Sequence, residues 1–301
     1  MAKMLVYSDV AALAAELVGA GKGMDVSVLA LDAKSAESLS ACGATTLLVA
    51  DIGDAIPEAC AESIAKLIDE RGYDLFVVGA TERGRNVAAQ VAGYLHCGMG
   101  SEVLTCEHDG SGISLTRVTY GGKVASSVRI EGRAVVTMGR GRFEATEAPV
   151  GQTESIDLAA DSRISVTARE EVAHEGVDLE SADYVVDIGM GVSEEAGVAM
   201  AQDLADALGG AVGCSRGIAD ERGWLPQENY IGISGKQLNS KFVLMMGVSG
   251  QVQHTSGLRD VKVVAGINTD EKAPMAAASD YYIVGDYKEY IPLIAKAIRE
   301  R

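Results

Sequence analysis

The feature that most constrains this chain is a recurring unit. A short apolar run ends in a glycine or small polar residue, and a stretch with apolar residues every three or four positions follows. The runs are Met4–Ser8, Val26–Leu31, Thr45–Val49 and Asp74–Gly79, then Tyr184–Ile188, Ala211–Cys214, Phe242–Val248, Val261–Ile267 and Tyr281–Val284. Runs this short and this apolar are strands covered on both faces, as in a parallel sheet packed between helices. The predicted helices are Val10–Gly19, Ser35–Cys42, Pro57–Arg71 (proline near its first turn), Asn86–Leu95 and Tyr287–Arg299. Another is predicted to start from Ser193 as N-cap, with Glu194 and Glu195 in its first turn, and to run to about Leu208.

The pattern changes from Ser101. Glycines at 110, 112, 121 and 122 separate the alternating runs Ser114–Tyr120, Val124–Ile130 and Ala134–Met138, which predict an antiparallel extension. Glu144 to about Asp178 is polar and reads as a strand or two plus a linker. The expectation is α/β architecture in two domains, residues 1–176 and 177–301.

Composition removes several function classes. Acidic residues outnumber basic ones 43 to 26, a net charge of −17, and aromatics are 5% of the chain. That argues against nucleic-acid binding, which needs phosphate neutralisation and stacking platforms, and against anionic membrane surfaces. The longest apolar run is far below the roughly 18 residues that span a bilayer, so the protein is not expected to be membrane-embedded. The start, MAKMLVYSDV, lacks the features of a signal peptide. Five scattered cysteines read as free thiols, Cys214 as a buried inert one, and the expected location is cytoplasmic. The four histidines lack metal-ligand spacing, and no Gly-Lys pair continues into a phosphate loop.

Binding chemistry concentrates between Gly213 and Asp286. Val248-Ser249-Gly250-Gln251-Val252-Gln253-His254 follows an apolar strand, where a Ser-Gly turn offers backbone N–H groups and a hydroxyl suited to pyrophosphate. Asn268 and Asp286 are expected to end strands, where they could hold ribose or base, and Arg216 supplies a cation. Gly189-Met190-Gly191 is a strand-to-helix turn without the third glycine of a dinucleotide fingerprint.

The run VGCSRGIADERGWLPQENYIGISGK and then LMMGVSGQVQHTSGLRDVKVVAGINTDEKAPMAAASDYYIVGD closely resembles the FAD domain of electron-transfer flavoprotein alpha subunits. A weaker resemblance covers the whole chain, and the GIS wording is most similar to the FixB-type branch. The resemblance implies a nucleotide-hydrolase-like first domain, a Rossmann-like FAD-binding domain, and pairing with a beta subunit. It implies a carrier rather than an enzyme. Electrons would pass between a donor such as an acyl-CoA dehydrogenase and an acyl-CoA-type reductase or membrane quinone oxidoreductase.

Carried over by motif, the implied cofactor contacts are Ser215, Arg216, Ile233, Ser234, Gly235, Val248, Ser249, Gly250, Gln251, Gln253, His254, Asn268, Thr269 and Asp286. Arg216 would lie against the isoalloxazine, Ser234 would bond N5, and His254 would approach the pyrimidine oxygen. Two positions depart from the family: Met190 replaces a common arginine, and Ile233 a common glutamine. Rival readings are an NAD-dependent enzyme using Lys236 and a nucleotide-sensing module on the first domain.

Overall fold

A computed structural model describes every residue except 121–123, 171–177 and 301. The chain splits into two compact units, Met1–Glu170 and Glu171–Arg301. The expected boundary after residue 176 lies outside the described residues, as does the Gly121–Gly122 turn.

In the first unit the strands are β1 (Lys3–Tyr7), β2 (Asp25–Ala30), β3 (Thr46–Val49), β4 (Leu75–Gly79) and β5 (Gly98–Gly100). They continue with β6 (Val103–His108), β7 (Gly112–Thr119), β8 (Val124–Glu131), β9 (Ala134–Met138) and β10 (Gln152–Ser155). Seven form a parallel sheet in the order β10-β3-β2-β1-β4-β9-β5, and β6-β7-β8 form an antiparallel sheet. Period-two alternation builds two cores. Met4, Val6, Val28, Val77 and Val136 face one side. Leu5, Tyr7, Leu29, Phe76, Val78 and Val135 face the other.

The helices are α1 (Ala11–Leu17), α2 (Ala33–Leu39), α3 (Ala61–Arg71) and α4 (Glu82–Leu95). α1 and α2 cover the first face, with Ile113 and Leu115 of β7; α3 and α4 cover the second. α2 starts two residues earlier than expected, because Asp32 accepts the Ser35 N–H and caps it. α4 starts four residues early for the same reason, with Thr81 accepting from Gly84. Pro57 opens a 3-10 turn ahead of α3 rather than the helix itself.

One expectation is corrected. Ala134–Met138 is not part of the antiparallel extension. It is β9, parallel to β4 and β5 inside the main sheet. All five of its residues are buried, whereas β8 is largely exposed. A run apolar on both faces belongs between helix layers, not on a half-solvated hairpin.

The second unit holds β11 (Tyr184–Ile188), β12 (Ala211–Cys214), β13 (Phe242–Met246), β14 (Val263–Asn268) and β15 (Tyr281–Val284). All neighbours are parallel, in the order β12-β11-β13-β14-β15. The helices are α5 (Ala196–Leu208), α6 (Val252–Thr255), α7 (Pro274–Ala277) and α8 (Tyr287–Arg299). Leu204 and Ala205 of α5 and Tyr287 and Ile291 of α8 pack on Val186, Ile188 and Leu244. The other face, with Val185, Val243 and Met245, is covered by Ile231, Leu238, Leu258 and Met275 from loops and short helices. Ser193 is not the cap of α5, which begins at Ala196 after Glu195. At its start, Gly197 N–H bonds the Glu194 carbonyl, and Glu194 receives the Lys288 ammonium at 2.8 Å.

Candidate functional site

In the second unit the chain runs from β11 outward to β12, then returns past β11 to β13. The loops after β11 and β13 therefore diverge, and such a reversal opens a crevice at the carboxyl edge of a parallel sheet. The two loops touch at their bases. Gly191 N–H bonds the Gly247 carbonyl at 2.9 Å. A Cβ on Gly189 would lie 2.5 Å from that carbonyl oxygen, so the pairing needs glycine.

The expected cofactor residues all fall on segments at or beyond this edge. Ser215 follows β12 and is fixed by its N–H on the Ile188 carbonyl at 2.8 Å. Its Oγ is buried with no partner. Arg216 is exposed, its Nε on Asp220 at 2.8 Å, at the start of a π-helical turn over Gly217–Arg222. Ile231 N–H bonds the Cys214 carbonyl, which ties the 231–236 segment to β12. There Ile233 is 58% exposed, Ser234 Oγ lies 3.4 Å from the Tyr230 hydroxyl, and Gly235 leaves no room for a Cβ beside the Tyr230 carbonyl. Ile233 N–H bonds the Gln253 carbonyl at 2.9 Å, bringing two separate motifs together.

After β13, Val248 is buried and its carbonyl accepts the Asn268 amide at 2.9 Å. Ser249 is exposed and its carbonyl accepts from Met275. Gly250 has φ +84°, and a Cβ there would come within 2.2 Å of the Met275 nitrogen. The Gln251 carbonyl accepts the N–H of His254 at 2.9 Å. Asn268 does end β14, and Thr269 beside it is exposed. Gly285 N–H bonds the Asn268 carbonyl at 3.0 Å, so the β15 loop joins the same edge. Asp286 does not end a strand. It caps α8, its Oδ1 accepting from Lys288 N–H at 2.9 Å.

His254 differs from a simple ligand at the rim. It is buried, and its Nε2 lies 2.6 Å from Oδ2 of Asp187, which is 0% exposed. Its Nδ1 is buried without a hydrogen bond, as is Asp187 Oδ1. Burial works against the charged imidazole, but the facing Asp187 and the Ile231 carbonyl outweigh it, so the His254 pKa is raised.

Sequence reasoning missed Asp187. Its signal was a carboxyl in the middle of an apolar strand, which demands a buried partner. Arg222 was missed too. It donates to the carbonyls of Val192 and Met190 and lies 4.3 Å over the Trp224 ring, so the turn that carries Met190 still has a cation against its backbone. The Met190 side chain packs on Gly217, next to Arg216. Cys214 is buried and its thiol is pushed up to about 12 by burial, then by Asp187 and Asp220.

The rival sites look different. Lys236 reaches Glu180 at 3.4 Å. In the first unit a cavity of about 340 Å³ lies near the carboxyl ends of β1 and β2, lined by Asp9, Asp32, Arg83 and Arg169 among others. Three of its charged groups are committed within the protein: Asp32 caps α2, Asp9 accepts from Thr81, and Arg169 donates to the Asp54 carbonyl. Among the described residues no group of three or more His, Cys, Asp or Glu could hold a metal. No helix among them is long and apolar enough to cross a membrane.

Residues 6–177 match the family described as electron transfer flavoprotein domain. Residues 178–259 match the electron transfer flavoprotein FAD-binding domain, so FAD is the cofactor that goes with this half of the chain. A similar protein is YdiR of Escherichia coli K12, whose name gives it as an electron transfer flavoprotein subunit. It is 31% identical over 299 residues, covering 96% of each chain. Protein FixB of Shigella dysenteriae is 31% identical over 251 residues, covering 81% of this chain and 80% of its own. Protein FixB of Escherichia coli O157:H7 matches to the same extent.

Proposed function

This chain belongs to the electron transfer flavoprotein family, as an alpha subunit of the FixB type, and on that premise we propose that its second unit holds FAD along the carboxyl edge of the five-stranded sheet. Proteins of this family are electron carriers rather than enzymes. Bound FAD supplies one- and two-electron chemistry; the protein supplies orientation and charge.

The observation that carries the reading is a built edge with polar atoms left over. Ser215 Oγ and His254 Nδ1 are buried at this edge without hydrogen bonds, and buried polar groups require partners. Arg216 is exposed beside Ser215 and stabilises negative charge brought to that side. The Ser249–Gly250 turn keeps its backbone close to Met275 and offers N–H groups to a pyrophosphate. Ile233, Ser234 and Gly235 form a rim beside Gln253, to whose carbonyl the Ile233 N–H is bonded. Asn268 and Thr269 serve the ribose end, with the Asp286 oxygen that does not cap α8.

The partner is an electron transfer flavoprotein beta subunit, and the pair works in the cytoplasm. It takes electrons from a dehydrogenase and passes them to an acyl-CoA-type reductase or a membrane quinone oxidoreductase. The test is co-expression with a beta subunit of the same family and purification without added cofactor. A yellow complex that releases FAD on heating is expected. A colourless complex that also fails to take up added FAD overturns the reading.

A further inference from the structure

The Asp187–His254 pair is unusual for its position. Alternation along β11 puts Asp187 on the same face as Val185, the face covered by loops and short helices rather than by α5 and α8. Its neighbours in register are Met245 on β13 and Gly213 on β12. Gly213 leaves open the space beside it, and Ile231 fills that space. His254, on the first turn after the Ser249–Gly250 loop, reaches Asp187 on this face. One carboxyl oxygen meets one ring nitrogen at 2.6 Å, with both residues out of contact with water.

We propose that Asp187 is a positioning residue of the cofactor edge, holding the His254 ring by Nε2 so that the imidazole stays a cation with Nδ1–H as its remaining donor. This inference rests on the flavin reading above. The packing gives it two consequences. The ring cannot turn without breaking a buried ion pair, so α6 and the loop before it are held against β11. The charge is also insulated: a histidine on an exposed loop changes charge between about pH 6 and 7, but the carboxyl at contact distance opposes proton loss here.

Few other titratable groups face the pair. From β12, the Cys214 thiol lies on the opposite face of the sheet, close enough to feel Asp187, and is held neutral by burial. Asp220, which also reaches that thiol, is itself engaged by Arg216 and Gln227. From the 231–236 segment the ring meets the Ile231 carbonyl, a dipole rather than a charge.

The experiment is an NMR titration of the histidine ring carbons in the complex with its beta subunit, first stripped of flavin and then loaded. The chain has four histidines, and H254Q assigns the signal. In the stripped wild type, His254 is expected to keep its proton above the ordinary value of about 6.5. D187N, which keeps the size of the side chain, should move that midpoint down by about a unit or more, and D187E should restore part of it. In the loaded complex, D187N should steepen the pH dependence of the flavin potential around neutrality relative to the wild type.

A His254 that titrates at or below the ordinary value in the wild type overturns the proposal, whether or not D187N folds. So does a D187N midpoint equal to that of the wild type. Flavin content is read separately. A wild type that binds no FAD but shows the raised titration overturns the flavin reading and, with it, the role assigned to the pair. A wild type that binds FAD with an ordinary His254 overturns the proposal alone.

Discussion

Single residues at this edge act through what they are packed against. Arg216 was legible as a cation because it stands in an acidic chain just after a strand, and it is exposed as a docking charge would be. His254 was legible as part of a motif, but its partner was not, since 67 residues separate it from Asp187. The pair makes a thermodynamic prediction. The folded-state pKa of His254 is raised above its unfolded value of about 6.5. Its contribution to stability is therefore complete below that value and is lost as pH rises through the folded-state pKa. Urea midpoints of wild type minus D187N, measured from pH 5 to 9, should be largest at the acid end and shrink above neutrality. A difference that grows with pH would refute the assignment.

At the scale of elements, caps and close approaches decide where helices and loops begin. Asp32 and Thr81 moved two helix starts forward of the apolar pattern, because a side-chain cap can recruit polar residues that periodicity does not mark. The same chemistry turned Asp286 from an expected strand end into the cap of α8. The loop after β13 depends on Gly250, left-handed and pressed on the Met275 nitrogen. Gly250→Ala meets both a conformational penalty and a backbone clash, and should cost about 1–3 kcal/mol. Chemical denaturation reads the loss. A stability unchanged within error would mean that the loop does not need this geometry.

The whole molecule is two α/β units, each with a core on both faces of its own parallel sheet. Each is expected to unfold as its own cooperative transition. Phe76 is fully buried on the α3–α4 face of the first sheet. Phe76→Ala should destabilise that unit by about 3–5 kcal/mol. Calorimetry should then show one transition lowered and the other in place; a single transition that shifts as a whole would argue for one cooperative body. The net charge of −17 acts at this scale as well. It favours partners with a basic docking face and makes association sensitive to salt.

The amino-acid sequence by itself determined the alternating α/β architecture, most of the parallel strands, and the stretch from Gly213 to Asp286 that carries the family's motifs. These are local quantities: burial on both faces writes an apolar run, and a turn writes glycine and small polar residues. Only the tertiary structure decided that Ala134–Met138 lies inside the main sheet, since an apolar run does not state which neighbours it pairs with. It also decided that β11 sits between β12 and β13, which opens the crevice. And it brought Asp187 under His254, because a contact between one strand and the short helix that follows its neighbour depends on sheet order and on which face the pleat presents, and neither is a property of nearby sequence.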